Sequence, residues 1–127
     1  MMVSLHELIC KWIDAAKQTH PGSISTDQSA LLLVASIGGA SYIRPDGTVL
    51  TEVWDTDDGL VEERDEKMRI SALVYGMTRY PELASLLPRR SEDSKDCSAC
   101  IASGWVHVGN RELVCGECAG LGWVDAA

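Results

Sequence analysis

Four cysteines in two pairs, Cys97-Ser98-Ala99-Cys100 and Cys115-Gly116-Glu117-Cys118, constrain the last quarter of this 127-residue chain more than any hydrophobic pattern does. Two residues between cysteines let one tight turn aim both sulfurs at a single point, and two such turns complete a four-thiolate tetrahedron. The pairs therefore read as one structural zinc site with ligands Cys97, Cys100, Cys115 and Cys118. A module of about thirty residues has too little core to fold alone, so the metal would supply much of its folding energy.

The pairs belong to a longer repeat. Residues 97–106, CSACIASGWV, align with residues 115–124, CGECAGLGWV, sharing both cysteines, a glycine, the tryptophan and the valine. Between them, Trp105 to Val108 and Arg111 to Val114 flank Gly109-Asn110, a pair able to take the positive φ angles of a two-residue hairpin turn. The spacing predicts a hairpin that brings the two cysteine turns together.

The run Cys115-Gly116-Glu117-Cys118-Ala119-Gly120-Leu121-Gly122 resembles the CxxCxGxG repeat of the DnaJ-type cysteine-rich zinc finger. The first repeat departs from that pattern, with Ala102 in place of the first glycine and Gly104 matching the second. The resemblance covers the C-terminal quarter only, and implies one family-like zinc centre where a full region has two. It also implies a role in binding another polypeptide, since that region of the family helps to hold non-native chains. Trp105 and Trp123, each following glycine in its repeat, are candidates either for the partner-binding surface or for cover over the metal core.

Charge narrows the choice of partner. The chain carries a net −8, and four thiolates against one divalent ion would take it to −10. Residues 97–127 offer one basic side chain, Arg111, against Glu112, Glu117 and Asp125, so the basic surface that displaces counterions from nucleic acid is missing. No apolar run is long enough to span a bilayer, and the amino-terminal residues interleave charges with apolar side chains, unlike a secretory signal. Together with five cysteines, an odd number dominated by CxxC pairs, this points to a reducing, cytoplasmic setting of bacterial type.

Upstream, the expected architecture is α+β: a small helical domain with a β-hairpin at 1–87, a charged linker at 88–96, and the cysteine module at 97–127. Leu5, Leu8, Ile9, Trp12, Ile13 and Ala16 share one helical face that His20-Pro21-Gly22 ends, with Cys10 beside that face as a small apolar group. Ser25 and Gln28 suggest a capping box before a second helix over residues 30–37, stopped by Gly38-Gly39. Residues 41–44 and 48–54 around Pro45-Asp46-Gly47 predict the hairpin, with Trp54 at its end. Asp57 or Asp58 is the expected cap of a further helix with the stripe Ile70, Leu73, Val74 and Met77.

Catalytic machinery is hard to assemble from these residues. His6, His20 and His107 fall on separate elements, and a four-cysteine shell closes the position a hydrolytic metal needs. The leading expectation is a non-catalytic zinc protein that binds a protein or peptide through its zinc module. One alternative is an acidic inhibitor or immunity-type protein. In it the stretch from Asp55 to Glu66, with Glu62 and Glu63 as contacts, meets a basic nuclease or toxin; seven acidic residues there face one Arg64. A second alternative is a thiol-disulfide oxidoreductase, although neither CxxC lies in the βαβ context such enzymes use.

Overall fold

The computed structural model describes residues 3–36 and 38–125, and its fold class is α+β, two compact units dividing between Arg64 and Asp65. In the first unit, α1 (Leu5–Thr19) begins where the Ser4 side chain accepts the Glu7 amide at 3.1 Å. It ends as predicted at His20, whose N–H donates to the Ala16 carbonyl before a 3-10 turn at Pro21–Ser23. Ile9, Ile13 and Ala16 are buried, and the helix lies against β1.

The helix expected over residues 30–37 is instead strand β1 (Leu31–Ser36), with Ile37 outside the described residues. The physical reason is the pattern itself: Leu31-Leu32-Leu33-Val34-Ala35 has no polar face, and a short, uniformly apolar run suits a covered strand as well as a helix. Pairing across the chain decides it, with Leu31 opposite Ile43 and Ser36 opposite Gly39. Ser25 and Gln28 form no capping box. The Ser25 hydroxyl donates to Asp27 Oδ1 at 2.6 Å and accepts the Ala30 amide at 3.1 Å, closing a loop in which Gln28 takes φ 62°. Gly38-Gly39 lies at the turn from β1 into β2.

The predicted hairpin is present as β2 (Gly39–Ile43) and β3 (Val49–Val53), its turn fixed by the Thr48 amide on Asp46 Oδ1 at 2.9 Å. Strand β4 (Leu60–Glu62) completes a four-stranded antiparallel sheet in the order β1-β2-β3-β4. The acidic stretch is thus partly sheet, and neither Asp57 nor Asp58 caps a helix. Asp65 does, its carboxylate accepting the Met68 amide at 3.1 Å at the start of α2 (Glu66–Gly76).

In the second unit, α2 carries Ile70 and Val74 onto Ala119 of the second cysteine repeat, so the stripe expected to close the first domain packs with the cysteine module. The segment expected as a free linker is also partly ordered. Its end is strand β5 (Ser94–Asp96), paired with β8 (Trp123–Asp125), and Arg90 holds Asp96 at 2.8 Å. The predicted zinc-module hairpin appears with the expected bounds, β6 (Trp105–Val108) and β7 (Arg111–Val114), Gly109 at φ 63°.

Candidate metal centre

The two cysteine turns are related by a pseudo-two-fold that follows the 18-residue repeat. Each strand pairs with the strand leaving the other turn: Asp96 opposite Trp123 matches Val114 opposite Trp105, and Lys95 opposite Val124 matches Leu113 opposite Val106. The Cys97 amide donates to the Gly122 carbonyl at 2.9 Å, and the Cys115 amide to the Gly104 carbonyl at 2.9 Å. The symmetry holds at the sulfurs as well, where Gly104 N–H points at Cys100 Sγ and Gly122 N–H at Cys118 Sγ, each at 3.2 Å.

The backbone path explains why glycines recur. Residues 101, 102 and 104 have φ of 54°, 61° and 83°, and their twins 119, 120 and 122 have 56°, 92° and 87°. Both loops therefore run through the left-handed region three times to turn amides toward sulfur. At Gly122 a Cβ would sit 2.6 Å from the Ala102 carbonyl oxygen, and at its twin Gly104 a Cβ would collide with the Gly120 carbonyl.

All four predicted ligands meet. Cys97, Cys100, Cys115 and Cys118 are buried, and their sulfurs lie within 4.8 Å of one another. The Sγ–Sγ separation is 3.8 Å for Cys97 and Cys115 and 3.7 Å for Cys100 and Cys118. A tetrahedron with metal–sulfur bonds of about 2.3 Å has edges of about 3.8 Å, so the sulfurs already stand at zinc-site spacing. They are far too distant for disulfide bonds, which need about 2.05 Å.

Burial opposes ionisation here. It pushes the Cys118 thiol up to about 12, whereas at Cys100 burial is outweighed by the Gly104 amide and the neighbouring thiols, leaving it at about 7. A divalent cation bound by the four sulfurs would favour the thiolate form.

The other predicted site residues are not among the four clustered ligands. Trp105 and Trp123 are half-buried in the second unit, Trp105 meeting Tyr75 edge-on at a centroid distance of 5.5 Å. Glu62 is exposed on β4, and Glu63, just beyond it, accepts the Thr51 hydroxyl at 2.9 Å; both belong to the first unit. Trp54 is exposed, its indole N–H bonded to Glu52.

Sequence reasoning missed Tyr75, whose hydroxyl accepts the Val114 amide at 3.0 Å and ties α2 to the edge of the hairpin. It also missed β5, although the repeat carried a signal: if β7 leads into the second cysteine pair, symmetry asks for a strand leading into the first. Among the described residues, no helix is long and apolar enough to cross a membrane. No protein-family model, no curated protein and no solved structure matches the chain.

Proposed function

We propose that this chain holds one structural zinc ion through Cys97, Cys100, Cys115 and Cys118, and that the module so formed binds another polypeptide without catalysing a reaction. The observation that carries the metal is the pair of sulfur separations, 3.8 and 3.7 Å, which equal the edges of a zinc–thiolate tetrahedron. Four donors from one chain close the shell, so the ion orders the loops and offers no open position to a substrate.

Burial of the four sulfurs favours this reading over the thiol oxidoreductase, because thiol–disulfide exchange needs in-line access to sulfur. The resemblance of residues 115–122 to the DnaJ-type repeat supports polypeptide binding, as does Trp123 at the rim of an open hollow. The acidic-inhibitor reading has its own support in the exposure of Glu62 on an edge strand flanked by carboxylates.

Native mass spectrometry before and after a strong chelator, with thiol titration on the same sample, tests the metal. One zinc and four protected thiols are expected; no metal with two disulfides would move the redox reading to first place. Binding of a reduced, alkylated model polypeptide to the zinc-loaded chain tests the partner. The zinc-module reading expects loss with Trp123→Ala, whereas the inhibitor reading expects no binding of that polypeptide and a salt-sensitive partner lost with Glu62→Lys and Glu63→Lys.

A further inference from the structure

The pseudo-two-fold makes Trp105 and Trp123 twins, yet their surroundings differ. Trp105 has the Tyr75 ring against it at 5.5 Å with an interplanar angle of 83°. Trp123 has no such ring partner among the described residues, and it borders an open hollow of about 470 Å³ whose apolar wall includes Ile70, Leu121 and Val124. We propose that this hollow seats an arginine-bearing apolar segment of a second polypeptide, with the guanidinium against the Trp123 ring; the proposal rests on the zinc, polypeptide-binding reading above.

Charge selects the occupant. The hollow is bordered by Glu66, Glu117 and Asp125 against Lys67. Glu66 is already held by Arg69 at 2.7 Å, which leaves Glu117 and Asp125 facing the one lysine. Cys118 contributes to the lining as well, and four thiolates around a divalent ion carry a net charge of about −2 in or near the wall. A cation is therefore drawn in, and an acidic segment is repelled.

Arginine fits better than lysine because its planar guanidinium stacks on an indole face while its fork of N–H groups serves carboxylates at the same time. The apolar wall needs something to bury, which a free cation lacks and a leucine or valine next to the arginine supplies. A segment alternating apolar and basic residues meets both demands.

The test uses the zinc-loaded full chain and a capped pentapeptide, Leu-Arg-Leu-Arg-Leu, with Leu-Glu-Leu-Glu-Leu and free spermidine as comparisons, read by nuclear magnetic resonance. The arginine peptide is expected to shift the Trp123 indole and the Leu121 and Val124 amides, and to weaken as salt is raised. Trp123→Ala should lower its affinity about 2- to 30-fold, the range of a cation–π contact. Because Trp123 is half-buried, Glu117→Lys at an exposed position is the second variant, expected to weaken the arginine peptide and spare the zinc stoichiometry.

Equal binding of the arginine and glutamate peptides, or shifts confined to other residues, would overturn the proposal. So would spermidine binding as tightly as the peptide, which would make the hollow a small-cation site, or concentration-dependent shifts at Trp123 without peptide, which would make its occupant a second copy. A sample with one zinc and four protected thiols that ignores the peptide refutes this inference alone. A sample without zinc fails the parent reading before any peptide is added.

Discussion

Ala102 and Gly120 occupy twin positions, and exchanging their side chains should have opposite effects. Ala102 is exposed with φ 61°, so Ala102→Gly loses little packing and releases the strain of an L-residue in the left-handed region, about 1–2 kcal/mol. Glycine's greater freedom in the unfolded chain takes back about 0.5–1 kcal/mol, leaving a net gain of about 0–1.5 kcal/mol with a middle value of about 0.75 kcal/mol. For a unit of this size the middle value raises the melting temperature by about 3–6 °C.

Gly120→Ala runs the other way. Its φ is 92°, and a Cβ there would lie 2.8 Å from Val74 Cγ1 and 2.9 Å from Val114 Cγ1. Strain of about 1–2 kcal/mol and overpacking of about 1–3 kcal/mol add to a loss of about 2–5 kcal/mol. The assay is denaturant unfolding of the zinc-loaded protein, followed by the fluorescence of its tryptophans, for both variants in parallel. If Ala102→Gly destabilises, or the two variants behave alike, both the strain argument and the packing of α2 on the second repeat are wrong.

Further outcomes follow from single contacts. Tyr75→Phe should cost about 1 kcal/mol through the lost acceptor for Val114, with faster hydrogen exchange of the Val114 amide and unchanged zinc content; unchanged exchange would contradict the contact. The Asp27 carboxyl is held at about 2 by hydrogen bonds from the Ser25 and Ser29 hydroxyls and the Ser29 amide. Its folded value lies below the ordinary 3.8, so its stabilisation is present above 3.8 and fades as pH falls through 2; a carboxyl titration with its midpoint at 3.8 would refute this. Chelation should abolish amide protection in β5 to β8 while leaving the four-stranded sheet of the first unit protected. Simultaneous loss in both units would show that the metal supports the whole chain.

The features legible in the sequence were those fixed by local chemistry. Cysteine spacing, the Gly109-Asn110 turn and the amphipathic pattern of α1 each name their structure within a few residues of chain. The features that escaped depend on partners outside the segment itself. Leu31 to Ser36 pairs with residues 39–43, and nothing within the apolar run distinguishes that from a buried helix. Several carboxylates between Asp55 and Asp65 are equally good helix caps by residue type, and the choice of Asp65 follows from β4 using Leu60–Glu62 first.

The candidate site divides in the same way. Its ligands could be read from spacing, while the cover over one repeat could not, because Ile70 and Val74 resemble any core stripe until Val74 is seen to fill the space a side chain at Gly120 would need. The difference between Ala102 and Gly120 was visible in the sequence. Its reason, a helix against one repeat and solvent at the other, was not.

X-ray absorption at the zinc edge of the purified, metal-loaded protein tests the central claim most directly. Four sulfur neighbours at about 2.3 Å, with no lighter ligand, are what the cysteine geometry predicts. A shell containing nitrogen or oxygen in place of a sulfur, or protein that fails to retain zinc, would contradict it.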